Sequence, residues 1–309
     1  MKNQKPNEQA KVEEKGTPGI AQQEKKRSLP SQIIGILCAH ILFIYWVKAK
    51  NLPVEQRAHG MIGLALAVFI SIFQSVPPIR QSQVYHSFAD DRCLCCSVPN
   101  TFDVLSNIPF LFVGFGGLDY IFSGPISTSF NFPTPHFKHK YEKESWAAYF
   151  AGVALVSIGS AYYHWKPNNA RLVWDRLPMS IAFGSLYYIV ISETSHYENP
   201  LLMLGLIAFS VFSVILWALT DDLRCYIFVQ FYFLCSIPIY YTIFSDQVRY
   251  DNYYNLFIAL GFYAAAKITE KFDREIYNNC GKNISGHTMK HLLAAVSTGW
   301  GIIILIGRQ

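Results

Sequence analysis

Residues 200–219 have the sequence PLLMLGLIAFSVFSVILWAL, which contains no charged side chain. A helix needs about 20 predominantly apolar residues to cross the hydrocarbon core of a bilayer. This segment therefore predicts a transmembrane helix. Its apolar residues do not alternate with polar ones, so the pattern favours a helix packed in lipid over a strand of a membrane barrel.

Similar apolar stretches recur along the chain. The whole sequence is 51% hydrophobic and only 15% charged, whereas a soluble domain carries about 25% charged residues. The predicted helices cover residues 32–49, 60–79, 101–122, 144–164, 174–192, 200–219, 226–244, 254–270 and 287–306. We therefore expect an all-α, polytopic membrane helix bundle, a multi-pass integral membrane protein.

The chain divides into three predicted regions. Residues 1–30 form a polar, Lys- and Glu-rich tail that cannot build a core, so we expect it to be disordered. The tail lacks the short basic start and immediate apolar core of a signal peptide. The remaining residues hold the predicted membrane helices, and the family resemblance described below implies that residues 31–84 hold one or two extra helices and residues 85–309 a seven-helix core. The net charge of +5 comes with no nucleic-acid-binding motif, so we expect no nucleic-acid partner, and no protein partner can be inferred.

Polar and titratable side chains cluster at the ends of particular predicted helices. The fourth helix ends with Ser160 and His164, the fifth begins near Asp175, and the ninth begins with His287 and His291. Such residues are costly within a membrane, so each one is a hypothesis about function. Because successive helices alternate in direction, the end of an even-numbered helix and the start of an odd-numbered one lie on the same side. The five residues should therefore converge at one level of the membrane.

The spacing of these residues favours a metal site. His287 and His291 are four residues apart, so they share a helix face. Together with His164 they form a three-histidine set of the kind that holds catalytic zinc and leaves one position for water. Zinc lowers the pKa of that water to about 7 and polarises a carbonyl. Asp175 is then a candidate general base and acid, and Ser160 a hydrogen-bond donor. The alternative is a polar network that only packs the helices.

Oxygen-rich residues precede the third helix and form a second candidate cluster, a possible calcium site or a structural polar cluster. Its members are Asp90, Asp91, Asn100, Asp103 and Asn107. In the structural alternative Asn100 caps the helix and Arg92 pairs with Asp103.

The neighbouring cysteines, Cys93, Cys95 and Cys96, lack the paired spacing of a zinc site. For five other histidines we expect interfacial or hydrogen-bonded positions: His40, His59, His136, His139 and His196.

The set Ser160-x₃-His164, Asp175 and His287-x₃-His291 resembles the alkaline ceramidase family. That family belongs to a superfamily of seven-helix membrane hydrolases, which includes adiponectin and progestin receptor-like proteins and GPI-lipid-remodelling proteins. The run of residues 106–110, Ser-Asn-Ile-Pro-Phe, is similar to the first core helix of the family. The resemblance covers about residues 85–309. It implies a zinc amidase that cleaves the N-acyl bond of ceramide-like sphingolipids, with the three histidines as ligands, Asp175 as acid and base, and Ser160 as the transition-state partner.

One region departs from the family pattern. The family carries Asp-Trp and a downstream Glu in its calcium motif, whereas this chain has Ala89-Asp90-Asp91-Arg92, with Asn100 at the expected Glu position. The chain thus looks like a divergent branch of the kind also found in bacteria.

Two other functions stay open: a phospholipid or lysolipid esterase that uses the same zinc site, and a lipid-sensing receptor whose zinc is structural. A structural zinc usually has four protein ligands, and the three histidines favour catalysis.

Overall fold

The computed structural model describes residues 29–94, 97–122 and 135–308, and every regular element within them is helical. Thirteen α-helices follow one another in the described part of the chain: α1 (Leu29–Lys50), α2 (Val54–Ser75), α3 (Thr101–Leu105), α4 (Ile108–Phe122), α5 (Glu142–Trp165), α6 (Asn169–Ser195), α7 (Pro200–Thr220), α8 (Arg224–Ile227), α9 (Phe233–Cys235), α10 (Ile237–Ile243), α11 (Tyr254–Lys271), α12 (Asp273–Asn279) and α13 (Gly286–Ile306). The expected all-α bundle is confirmed. The predicted tail lies almost wholly outside the described residues.

Several helices are long and apolar enough to cross a membrane. Within the described residues α2, α3 with α4, α5, α7 and α13 meet this criterion, and the bent set α8–α10 makes a sixth candidate span. The protein is therefore a multi-pass membrane protein. All nine predicted segments are helical, although α1, α6 and α11 fall outside the apolar criterion.

Prolines and caps account for the differences in helix bounds. The second helix was predicted over residues 60–79, but α2 follows Pro53 and ends at Ser75. Pro77 disfavours helical geometry in the residue before it, so the helix stops short of the proline pair. The fifth helix was predicted from residue 174, but α6 begins at Asn169, where the Asn168 side chain accepts a hydrogen bond from the amide of Arg171. Asp175 consequently lies in the second turn of α6 rather than at its start.

The seventh predicted helix, residues 226–244, is not one straight helix. A π-helical turn over residues 228–232 connects α8 to α9, and the direction changes by 42° before α10. Pro238 stands at the start of α10 and supplies no backbone donor to the preceding turn, which explains a bend at this point. The bend lies within the main hydrophobic cluster, where Phe233 and Ile237 are buried.

The core helices pack around α5 and α6. Helix α5 lies between α4 and α6, α6 also contacts α7, and α13 packs against α11 and α4. At the junction of α5 and α6, Gly159 lets the two backbones touch: a Cβ atom there would lie 2.0 Å from the Trp174 carbonyl oxygen. This close approach places the C-terminal end of α5 beside the early turns of α6. In α1 and α2, by contrast, large apolar side chains such as Leu42 and Leu66 are exposed, as expected for helices on the lipid side.

Candidate metal centre and active site

The N-terminus of α13 is fixed by several hydrogen bonds. The Ser285 hydroxyl accepts from the amide of Thr288 at 2.9 Å, and a carboxylate oxygen of Asp273 accepts from the amide of His287 at 2.7 Å. These contacts satisfy amides that have no partner within the helix. Gly286 is required for this packing, because a Cβ atom would lie 2.2 Å from the Thr269 carbonyl oxygen. His287 and His291 are thereby held one turn apart on a well-anchored helix.

His164 lies in the last turn of α5 and is completely buried. Its carbonyl oxygen accepts a hydrogen bond from the Asn100 side chain at 2.8 Å. Asn100 is the residue before α3 and has a left-handed backbone conformation, and its side chain does not cap that helix. The predicted capping role was therefore wrong. Instead, Asn100 ties the start of α3 to the end of α5.

The three histidine rings form a nearly equilateral triangle. The ring centroids of His164, His287 and His291 are 4.8, 4.7 and 4.8 Å apart in the three pairs. One ligand atom from each residue lies within 4.8 Å of the others, and all three residues are buried. The predicted convergence of the histidines is therefore present.

The geometry fits a tetrahedral metal ion. The Nε2 atoms of His164 and His287 are 3.4 Å apart. Two zinc ligands at about 2.0–2.1 Å and a tetrahedral angle would be separated by about 3.3 Å. The Nδ1 atom of His291 is hydrogen-bonded to the Ser106 hydroxyl at 2.7 Å, while its Nε2 is buried with no partner among the described residues. An outer contact of this kind orients a ligand and leaves the other nitrogen for the metal.

Ser160 and Asp175 lie beside the triangle. Both are buried, both line the same cavity as His291, and the Ser160 hydroxyl lies near the Asp175 carboxylate. Ser160 is one turn before His164 on α5, so one helix carries a histidine and the hydroxyl. The close approach at Gly159 brings Asp175 of α6 to this hydroxyl. All five residues singled out from the sequence are thus gathered in one region.

An aromatic side chain covers part of the triangle. The Phe88 ring centroid is 4.6 Å from the rings of both His164 and His287. The segment that carries Phe88 is held by Asp273, whose second carboxylate oxygen accepts from the amide of Ala89 at 2.9 Å. Asp273 therefore fixes both the ligand helix and this covering segment. The sequence analysis assigned neither Phe88 nor Asp273 to the site.

The proposed calcium cluster does not form a single group. Within the described residues, the sets of three or more His, Cys, Asp or Glu ligand atoms do not include Asp90, Asp91 or Asp103. Asp90 accepts hydrogen bonds from the Arg92 guanidinium at 2.7 and 2.6 Å, so the expected pairing of Arg92 with Asp103 was wrong. Asp103 accepts from the Thr288 hydroxyl at 2.7 Å, which braces the start of α13.

The last member of that cluster, Asn107, also has a structural contact. Its side-chain amide donates to the Asp103 carbonyl oxygen at 2.7 Å across the break between α3 and α4. The contacts of Asn107 and Asp103 thus support the helix starts that surround the histidines. Asp91 is exposed and takes no part in them.

A second buried polar group lies at the opposite end of α5. His139, Glu142 and Glu193 bring ligand atoms together, but Arg308 pairs with both glutamates. The Tyr250 hydroxyl also donates to Glu142 at 2.8 Å. Glu142 and His164 are 22 residues apart on one helix, about 33 Å at 1.5 Å per residue. This cluster is an ion-paired network distant from the histidine triangle.

Charged residues that the sequence analysis did not assign lie beside the triangle. Lys290 Nζ is 3.1 Å from a carboxylate oxygen of Glu270 and 3.4 Å from His287 Nε2. Lys267 pairs with the same glutamate. The Tyr85 hydroxyl donates to Glu270 at 3.2 Å, and burial raises the pKa of this phenol well above its ordinary value, so it stays a donor. The sequence did contain one indication of this charged group, because Lys290 lies between His287 and His291 in a predicted membrane helix.

A large internal cavity extends from these polar residues into the bundle. The empty space in it, including the part open to the surroundings, is about 1230 Å³. The polar end includes Ser160, Asp175 and His291, and most of the remaining wall is apolar. Representative apolar residues are Phe110, Trp146, Val153, Met179, Phe183 and Leu256. A cavity with convergent polar groups at one end and an apolar wall is the usual form of a small-molecule site.

Fold and site together define a polytopic α-helical membrane protein with a buried three-histidine candidate metal centre at the polar end of an internal cavity. A sequence model of the ceramidase family, described as Ceramidase, matches residues 94–306, more than two thirds of the chain. The chain belongs to this family, and membership indicates a hydrolase of amide bonds with a lipid substrate. The comparison with curated proteins found no match.

Proposed function

We propose that this protein is a zinc-dependent hydrolase that cleaves the N-acyl bond of ceramide-like sphingolipids and releases a fatty acid and a sphingoid base. The observation that carries the proposal is the buried histidine triangle beside Ser160 and Asp175, at the polar end of one cavity. Family membership supplies the amide and lipid character of the substrate.

His164, His287 and His291 would hold the ion. Zinc bound to three histidines supplies an activated water and polarises a carbonyl. The protein supplies the position of these groups. His291 is oriented by Ser106, and the start of α13 is fixed by Asp273 and Asp103. Three protein ligands leave a coordination position open, which favours a catalytic over a structural zinc.

Asp175 moves the proton in the proposed reaction. Its carboxylate accepts a proton from the attacking water and later donates one to the leaving nitrogen, so the amide and water become a carboxylic acid and an amine. An amine is a poor leaving group unless it is protonated, so this role favours an amidase over an esterase. The Ser160 hydroxyl, which lines the same cavity as Asp175, would donate its hydrogen to the developing oxyanion.

The cavity provides room for the acyl chain. Its wall continues from the polar end past Val153 and Met179 to apolar side chains deeper in the bundle. The wall replaces the apolar surroundings that the acyl chain has in the bilayer, so entry of the chain costs little. The core, residues 85–309, would then be the hydrolase, and the tail, residues 1–30, would be dispensable for the chemistry.

The test is turnover by purified protein of three matched substrates that carry one acyl chain: a ceramide, a simple N-acyl amine and a lysophospholipid. We expect release of fatty acid from the amides, with the ceramide preferred. Hydrolysis of the ester alone would make the protein an esterase. Binding of the lipids without hydrolysis, in protein that contains zinc, would support the receptor alternative and contradict the proposal.

A further inference from the structure

Arg176 is a buried cation without a carboxylate partner. The residue is 6% exposed, and its Nη2 donates to the Gln81 side chain at 2.8 Å. Its Nη1 has no hydrogen-bond partner among the described residues, and no Asp or Glu oxygen of the described chain forms a salt bridge with it. Buried charges in proteins are ordinarily paired, because an unpaired charge is costly to remove from water.

The aromatic surroundings of Arg176 offset only part of this cost. The guanidinium carbon lies 4.2 Å from the Trp217 ring centroid and 4.8 Å from that of Tyr226. Such cation–π contacts stabilise a desolvated guanidinium, but an aromatic ring supplies neither an oxygen acceptor for its N–H groups nor an opposite charge. The unused Nη1 donor therefore remains available for an anion.

Arg224 provides a contrast within the same protein. Its guanidinium lies over a ring as well, 4.4 Å from the Phe73 centroid. Its Nε and Nη2 donate to Asp222, and its Nη1 donates to the Phe73 and Val76 carbonyl oxygens. Every guanidinium nitrogen of Arg224 donates a hydrogen bond, whereas the Nη1 of Arg176 has no acceptor among the described residues.

Arg176 lines the cavity at the same end as Ser160 and Asp175. The other charged residues of the lining are Lys267, Glu270 and Lys290. Glu270 is paired with both lysines, so three cations and two carboxylates leave this end of the cavity with one net positive charge. A bound zinc ion would add to that charge. The cavity therefore favours a ligand that carries negative charge at its polar end.

We propose that Arg176 binds an anionic group, a carboxylate or a phosphate, on the amine side of the scissile amide, so that the preferred substrates are anionic N-acyl lipids. This inference rests on the proposed amide hydrolysis. The guanidinium fork matches both anions geometrically. The amine side is assigned because Arg176 lines the same cavity as Asp175, which protonates the leaving nitrogen, while the acyl chain occupies the apolar wall.

The experiment compares substrates that differ only in the charge of the amine part. N-oleoylglycine and N-oleoylethanolamine form the carboxylate pair, and ceramide 1-phosphate and ceramide form the phosphate pair. The measurement is the ratio of kcat/KM for the anionic member to that for the neutral member, in detergent-purified full-length protein. We expect a ratio of about ten or more in one pair, and that pair identifies the anion, since charge-assisted pairing of this kind is worth about 1.5–3 kcal/mol.

Variants distinguish binding from structural support. Arg176→Gln should lower this ratio at least tenfold, mainly through KM for the anionic substrate, and Arg176→Lys should restore part of it. Arg224→Gln removes an arginine of similar surroundings outside the cavity and should leave the ratio unchanged. If Arg176→Gln does not fold, the lysine variant still tests the fork, because it keeps the charge and loses the second donor.

A binding measurement separates this inference from the proposed function. Affinity for N-oleoylglycine and ceramide 1-phosphate is measured by calorimetry in an Asp175→Asn background, with and without Arg176→Gln. We expect the arginine substitution to weaken binding of the anionic lipid at least tenfold. Failure to hydrolyse any amide, with this loss of binding present, would overturn the hydrolase function alone. Equal ratios in the wild type and Arg176→Gln, with the neutral amides hydrolysed, would overturn the anionic subsite alone.

Discussion

The Nε2 atoms of His164 and His287 are 3.4 Å apart, although the two residues are 123 positions apart in the sequence. A separation of this length is at the outer limit of hydrogen bonding. It agrees with two ligands of one tetrahedral ion. The anchors that set it are backbone contacts: Asn100 holds the His164 carbonyl oxygen, and Asp273 holds the His287 amide.

Replacement of the histidines should therefore remove a metal ion. We expect about one zinc per chain in purified protein, and loss of that zinc in the double variant His287→Ala, His291→Ala, because a single remaining histidine binds zinc weakly. Elemental analysis of the detergent-purified protein measures this content directly. His59→Ala, an exposed histidine of α2, is the control and should keep the metal. Unchanged zinc in the double variant would disprove the site.

Replacement of Asp175 separates metal binding from proton transfer. Asp175→Asn keeps the size of the side chain and a hydrogen-bond acceptor for Ser160, so the protein should fold and keep its zinc. We expect turnover to fall by about 10²–10⁴-fold, the usual contribution of general acid–base catalysis. Asp251→Asn, at an exposed position before α11, should have no such effect. Loss of zinc from Asp175→Asn would make this residue a ligand rather than a proton carrier.

Much of the fold was predictable because its signals are local. Apolar stretches located all nine helical segments, and helix alternation placed His164, Asp175 and His287 on one side of the membrane. The four-residue spacing in α13 gave two of the candidate ligands. Each of these inferences needs only periodicity and a count of crossings, which a single sequence provides.

Other features depend on contacts between distant segments. Asp273 comes 14 residues before His287, in a stretch with no periodic pattern, so its hydrogen bond to the start of α13 could not be inferred. His139 and Glu142 are close in sequence, but their partners Glu193 and Arg308 come from other segments. Arg176 adjoins Asp175, and only the three-dimensional structure shows that its Nη1 has no partner. Hydrophobic patterns carry no information about such pairings.

The close contact at Gly159 should control both stability and activity. Gly159→Ala places a Cβ atom 2.0 Å from the Trp174 carbonyl oxygen, so α5 and α6 must separate, at a cost of about 1–3 kcal/mol. Separation would also draw Ser160 away from Asp175 and lower kcat. Gly205→Ala in α7 meets nothing within 4 Å and should raise stability by up to about 1 kcal/mol. Thermal unfolding and turnover of both variants measure the effects, and equal melting temperatures would contradict the packing argument.

The cluster at the far end of α5 should make stability depend on pH. Burial, followed by the charges of Arg249 and Arg308, lowers the pKa of His139 from 6.5 to about 4. The unfolded chain therefore takes up a proton at this histidine below pH 6.5, while the folded protein does so only near pH 4. In that window the unfolded state binds more protons than the folded state. The stabilisation from neutral His139 is therefore fully present above pH 6.5 and decreases as the pH falls towards 4.

The contribution of His139 can be isolated with a variant that does not titrate. The loss at pH 4 should be on the order of 2 kcal/mol, after a discount for solvent screening of a shift of this size. His139→Gln keeps a polar side chain near Ser192 and Glu142 and should flatten the decrease in melting temperature between pH 7 and 4.5. His59→Gln, at an exposed position, should keep the slope of the wild type. If His139→Gln also keeps that slope, the histidine is not held neutral in the folded protein.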